Sequence, residues 1–168
     1  REIFALKLAK LLGQRKRVLY INLRAFSGLW DLLPQAEGGC LSDAIYYYRQ
    51  NGKLFTDKIK SVIASVEGFD YFAPIRCAKD ISYMDATNIM PFVETVAREC
   101  GYEQVILDIG TETGNWWMFI ENCDAVYMPI KNDYIGIRKV SEFESYYCQS
   151  GMEEVIGKIV KVRLPEGE

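Results

Sequence analysis

The sequence predicts an α/β fold, a three-layer, open, mostly parallel sheet with helices on both faces. Helix-like and strand-like segments alternate along the chain. The strand-like segments are near-continuous apolar runs rather than alternating ones, as strands buried on both faces must be. The length, 168 residues, is enough for one domain with a full core. Sheets of this kind bind ligands beyond the carboxyl ends of their strands, so the residues that follow each strand are the place to look for chemistry.

The elements run in order. "EIFALKLAKLLGQ" places Ile3, Phe4, Leu6, Leu8, Leu11 and Leu12 around lysines 7 and 10, an amphipathic helix that stops near Gly13. "RVLYINL" is a buried strand from Val18 to Leu23, and "RAFSGLWDLLPQAEGG" is a loop with room for one helical turn. "LSDAIYYYRQNG" reads as a helix capped by Ser42 or Asp43, with Leu41, Ala44, Ile45 and Tyr48 on its apolar face and Gly52 as its stop. "LFTDKIKSVIASV" carries Ile59, Val62 and Ile63 at helical spacing, and its end suits a short strand. "FDYFAPI" is a second core strand. "DATNIMPFVETVAREC" is a helix capped by Asp85 or Thr87, with Pro91 near its first turn and Gly101 after it. "QVILDI" is the third strand, "NWWMFIENC" a short helix, and "AVYMPI" the fourth strand. "YIGIRKVSEFESYYCQSG" is a helix with Ile137, Val140, Phe143 and Tyr147 on one face, and "GKIVKVRL" is the fifth strand, ended by Pro165.

Composition narrows the chemistry. Apolar residues make up 49% and charged residues 26%, ordinary for a soluble globular protein. A net charge of -3 gives no strong nucleic-acid signal. No apolar run approaches the ~20 residues of a transmembrane segment. The five cysteines are widely spaced and form no C-x-x-C pair, which suits reduced thiols in a cytoplasmic protein. Histidine is absent. Ser-His-Asp and Cys-His catalysis are therefore excluded within this chain, and the commonest zinc and iron ligand is missing. Any chemistry must rest on carboxylates, lysine, backbone amides or a bound ion.

Three strand ends stand out: "NLRAFSG", "DIGTETG" and "PIKNDY". In "VILDIGTETG" an apolar strand delivers Asp108 to the sheet edge and the chain turns glycine-rich. The residues alone leave open whether Asp108 is a magnesium-site acid or an aspartate accepting turn amides. Lys131, Asn132 and Asp133 read mainly as a polar loop, and Arg15 to Arg17 as a solvated basic turn. Trp116 and Trp117 point about 100° apart on a helix, so one of them is a candidate for a partner surface. The Tyr46, Tyr47 and Tyr48 run raises the same question.

The order of these pieces resembles the MinD/ParA superfamily of deviant-Walker P-loop ATPases, and within it the CpaE/TadZ-like branch of pilus-assembly and polar-localisation proteins. "FALKLAKLLGQRKRVLYINL" looks like the helix that leaves the phosphate loop and the strand after it. "GCLSDAIYYYRQNG", "GFDYFAPI", "GYEQVILDIG" and "CDAVYMPIKND" look like later elements, with "GYEQVILDIG" resembling the one that carries the Walker B acid. The resemblance implies binding of ATP and Mg2+, a nucleotide-dependent homodimer, and protein partners in a pilus, secretion or polar-localisation apparatus. It implies that the protein is cytoplasmic, with recruitment to the membrane or pole. It assigns Asp108 to magnesium through water, and Gly110 and Thr111 to a segment sensing the terminal phosphate. Arg163 and Pro165 would approach the adenine, and Asn22 and Arg24 would stand where acids are common in the superfamily. No G-x-x-x-x-G-K-[ST] loop occurs in the chain. Because the chain starts inside a helical pattern at Arg1, the expectation is a single domain, 1–168, whose first strand and phosphate loop lie upstream. Asn22 and Arg24 make the local field more positive than a hydrolytic site has, so slow or absent hydrolysis is expected. The competing expectation is a non-catalytic scaffold that keeps the fold and docks partners through exposed aromatics. A receiver-like domain would need an acidic pair after the first strand, and "NLR" offers none.

Overall fold

The computed structural model describes residues 2–34, 38–50, 55–77, 79–80, 84–110 and 113–165. They form α1 (Glu2–Leu12), β1 (Val18–Leu23), α2 (Leu41–Arg49), α3 (Phe55–Val62), β2 (Ile63–Val66), β3 (Phe69–Phe72), α4 (Ala86–Cys100), β4 (Gln104–Ile109), α5 (Trp116–Asn122), β5 (Val126–Lys131), α6 (Tyr134–Gln149), α7 (Glu153–Gly157) and β6 (Ile159–Leu164), with a 3-10 turn at Gly28–Asp31. The chain divides into two compact units, Arg1–Trp116 and Trp117–Glu168.

The first unit holds a four-stranded sheet of order β2-β3-β1-β4. β1 is parallel to both neighbours and runs in register with β4 from Val18↔Gln104 to Leu23↔Ile109. β2 is antiparallel to β3, so this sheet is mostly parallel. All six residues of β1 are buried, as a strand covered on both faces requires. On one face Val18 and Tyr20 pack with Phe69, Tyr71 and the small residues Ala5 and Ala9 of α1. Small residues there let the helix approach closely. A Cβ on Gly13, just past the end of α1, would lie 1.5 Å from the Gly68 carbonyl oxygen in the β2–β3 turn. On the opposite side Phe92 of α4 lies 5.8 Å, ring to ring, from Phe72 of β3 and 5.6 Å from Tyr48 of α2.

Residues 117–168 contain a parallel β5–β6 pair, in register from Val126↔Ile159 to Lys131↔Leu164. Its buried apolar residues include Phe119, Ile120, Ile130, Val155, Ile156 and Leu164.

Several local expectations are corrected. The expected strands are present, but a sixth is added where "IASV" forms β2, and the strands divide between a four-stranded and a two-stranded sheet. α2 starts two residues earlier than a Ser42 cap would place it. Cys40 is its cap, and the Cys40 amide donates to Asp43 Oδ2 at 2.8 Å. Its expected stop, Gly52, lies outside the described residues, and the helix ends at Arg49. Asp85 caps α4 by accepting from the Asn88 amide, and Gly101 closes it in the left-handed conformation, φ 73°. Pro91 is the sixth residue of α4, beyond the first turn, and the Thr95 hydroxyl donates to its carbonyl at 2.8 Å. Helix α7 was not anticipated, because five residues are too few to show a helical period. Arg17 is more than part of a solvated turn. Its Nη1 donates to the Cys100 carbonyl at 2.7 Å and its guanidinium lies 4.9 Å from the Tyr102 ring centre, tying the start of β1 to the end of α4.

Candidate functional site

The carboxyl ends of β1 and β4 form the site. Side chains two apart on a strand share a face, so Tyr20 and Asn22 of β1 project together. The register sets Asn22 opposite Asp108. α1 covers this face, and the Asn22 amide nitrogen donates to Glu2 Oε1 at 3.1 Å. That contact fixes the amino end of α1 at the carboxyl edge of the sheet.

Asp108, 7% exposed, has both carboxylate oxygens engaged by protein donors. Arg24 Nε donates to Oδ1 at 2.9 Å and the Tyr20 hydroxyl donates to Oδ2 at 3.0 Å. Arg24 Nη2 also donates to the Ile109 carbonyl at 3.2 Å. The backbone orients this arginine too, because its own amide donates to Asn22 Oδ1 at 2.8 Å. Asn22 Nδ2 reaches Ser27 Oγ at 3.0 Å, and Ser27 Oγ also accepts the Leu29 amide that opens the 3-10 turn. Burial, reinforced by the charge and hydrogen bond of Asp108, pushes the Tyr20 hydroxyl far above its ordinary range. Tyr20 is therefore a permanent donor here, not an acid or base. Among the described residues no buried side-chain nitrogen or oxygen lacks a partner.

After β4 the chain turns through Gly110. Its carbonyl accepts the Thr113 amide at 3.1 Å. The buried Thr113 hydroxyl donates to the Leu23 carbonyl at 3.1 Å, joining this turn to the end of β1. The Gly110 amide donates to Thr113 Oγ1 at 3.3 Å. Thr111 lies outside the described residues. Arg163 and Pro165 belong to the second unit, where Arg163 is exposed on β6 opposite Ile130 and Pro165 is exposed just after it. Lys131 ends β5, and Asp133 caps α6 by accepting the Gly136 amide at 2.6 Å. Trp116 is buried and Trp117 half-buried; of the three tyrosines in α2, Tyr46 is the exposed one. Asp108, Asn22 and Arg24 thus come together as expected of neighbouring strand ends. Tyr20, Glu2, Ser27 and Thr113 were not singled out from sequence. Only Tyr20 left a signal there, its two-residue offset from Asn22.

Magnesium takes near-octahedral oxygen ligation and keeps several waters. This edge offers one buried carboxylate, already neutralised by an arginine, and an asparagine whose oxygen holds a backbone amide. Among the described residues no group of three His, Cys, Asp or Glu side chains is placed to hold a metal ion. A magnesium ion ligated by the described residues alone does not fit this arrangement. An anion fits better. The Arg24 guanidinium supplies positive charge of the kind that holds phosphate oxygens.

Comparison of the whole chain with solved structures gives one consistent fold. A ParA family ATPase from Chlorobium tepidum TLS superposes over 98% of this chain and 78% of its own, with TM-score 0.66 and 17% identity. A putative plasmid partition protein from Borrelia burgdorferi B31, bound to AMPPNP, matches over 99% of this chain and 72% of its own, with TM-score 0.65 and 13% identity. The kinase domain of VpsO matches over 96% and 77%, with TM-score 0.64 and 16% identity. No protein-family model matches the sequence, and no curated protein does either. The fold is that of the ParA-like P-loop ATPases. Among the described residues no helix is long and apolar enough to cross a membrane.

Proposed function

We propose that this chain is the ATP-binding part of a ParA/MinD-type switch protein that hydrolyses its nucleotide slowly or not at all. The observation that carries the reading is the Arg24 guanidinium held against the Asp108 carboxylate where β1 and β4 end side by side. This is the strand edge where such folds bind ligands. The ion pair supports slow turnover. Arg24 and Tyr20 each hold one oxygen of that carboxylate, at 2.9 and 3.0 Å, and the guanidinium offsets its charge, which weakens it as a partner for an attacking water. Asn22, beside it, carries no charge.

The remainder follows from the resemblance. Nucleotide drives a homodimer, and the dimer positions a pilus, secretion or polar-localisation apparatus. Isothermal titration of the intact protein with ATP tests the first claim, and sedimentation with and without nucleotide tests the second. Binding together with nucleotide-dependent dimerisation supports the switch, and absence of binding by the intact protein refutes it.

A non-catalytic scaffold is the second reading. Large exposed aromatics favour it, namely Phe26 at 85%, Tyr134 at 82% and Tyr146 at 65%. It predicts that partner capture is indifferent to nucleotide.

A further inference from the structure

We propose that Arg24 takes the place of a divalent cation at Asp108, so that this edge holds its nucleotide without metal. The inference rests on the nucleotide-binding reading and names how that site is neutralised. The Arg24 side chain is 19% exposed and that of Asp108 7%. The guanidinium is the more exposed partner of this pair. Its Nε bonds Asp108 Oδ1 at 2.9 Å and its Nη2 the Ile109 carbonyl at 3.2 Å. The amide of the same residue is held by Asn22 Oδ1 at 2.8 Å. Backbone and side chain are both pinned, which keeps the cation in one place. Tyr20 occupies the second carboxylate oxygen. A magnesium ion at Asp108 would have to displace an arginine that cannot lose its charge.

A fixed guanidinium does for an incoming phosphate much of what a metal does. It supplies positive charge that cannot be lost by deprotonation. Glu2, the other carboxylate at this edge, lies in the first turn of α1 and offsets the helix dipole. Its Oε1 accepts from Asn22 Nδ2 at 3.1 Å.

Two measurements on the intact protein test this. ATP titrated in excess EDTA and in excess magnesium is expected to bind wild type with affinities within about threefold of each other. Arg24→Ala is expected to lose about tenfold to a hundredfold in EDTA, the span of a charge-assisted hydrogen bond, and to regain much of it when magnesium is added. A merely structural role for Arg24 would weaken binding equally in both buffers. Separately, Mn2+ alone, followed by its electron paramagnetic resonance signal, is expected to stay free with wild type and to bind Arg24→Ala. Arg24→Gln, with a melting curve for each protein, covers the case in which the alanine variant does not fold. Wild-type ATP binding that requires magnesium, or Mn2+ bound by wild type at an Asp108-dependent site, overturns the inference and leaves the nucleotide reading standing. Absence of ATP binding in both buffers overturns the nucleotide reading, and the Mn2+ measurement still decides the role of Arg24.

Discussion

Arg24→Ala also has a structural consequence that can be worked out from the geometry. It removes the cation from a carboxylate 7% exposed and leaves Tyr20 as that carboxylate's other recorded donor. Stripping one partner from a fully buried ion pair costs about 3–5 kcal/mol. Arg24 is not fully buried, and water entering the vacated space will solvate Asp108 in part. A hydrogen bond to a charged group contributes about 1.5–3 kcal/mol, and the bond to the Ile109 carbonyl is lost as well. The expected loss is therefore about 2–3 kcal/mol, intermediate between a buried and a surface pair. For a chain of this size that lowers Tm by roughly 4–12 °C. Urea unfolding followed by circular dichroism measures it, with the m-value unchanged. Asp108→Ala and the double variant complete a cycle, and the double variant is expected to be less destabilised than the sum of the single ones. A loss below about 0.5 kcal/mol, as for an exposed pair, together with strict additivity would refute the claim that the two side chains form one buried unit.

Tyr20 should leave a signature in alkali. Its folded-state pKa is raised above the ordinary 10.0, first by burial and then by Asp108. Its contribution is therefore complete below about pH 10 and falls away as pH rises above that value. Urea midpoints measured through this range should decline, and Tyr20→Phe should shallow the decline; Tyr102, raised by burial and by Asp70, accounts for part of what remains. Gly13→Ala should destabilise by about 1–3 kcal/mol or more, because backbone meets backbone and no rotamer can relieve the 1.5 Å approach to Gly68. A thermal melt checks it, and an unchanged Tm would mean that α1 and the β2–β3 turn are not packed as described. With a thiol-specific reagent, exposed Cys77 should react rapidly, whereas buried Cys40 and Cys100 should react only on unfolding.

The strands were legible because they are short apolar runs between punctuating residues. "VLYINL" and "QVILDI" occupy the stretches their composition marked. The antiparallel β2 was half legible, since "IASV" continues a helical period and its strand state depends on pairing with "FDYF". The cap of α2 was misplaced because cysteine is not a preferred cap residue and the bond comes from Asp43 reaching back. Asp108, Asn22 and Arg24 could be flagged because each follows directly from a strand end. What they do to one another could not. Register decides that Asn22 faces Asp108, and only three-dimensional packing brings Glu2 to Asn22 and the Tyr20 hydroxyl to the carboxylate. An arginine two residues past an asparagine looks like a positive charge in a loop. Folded, it is the counter-ion of the strand-end acid.

The most direct test of a site that binds nucleotide without turning it over is to incubate the intact protein with labelled ATP, separate the bound fraction by rapid gel filtration, and identify the nucleotide recovered. The account predicts bound nucleotide recovered as ATP. Recovery as ADP at a rate set by the protein would contradict the inert Arg24–Asp108 pair, and failure to retain any nucleotide would contradict the site itself.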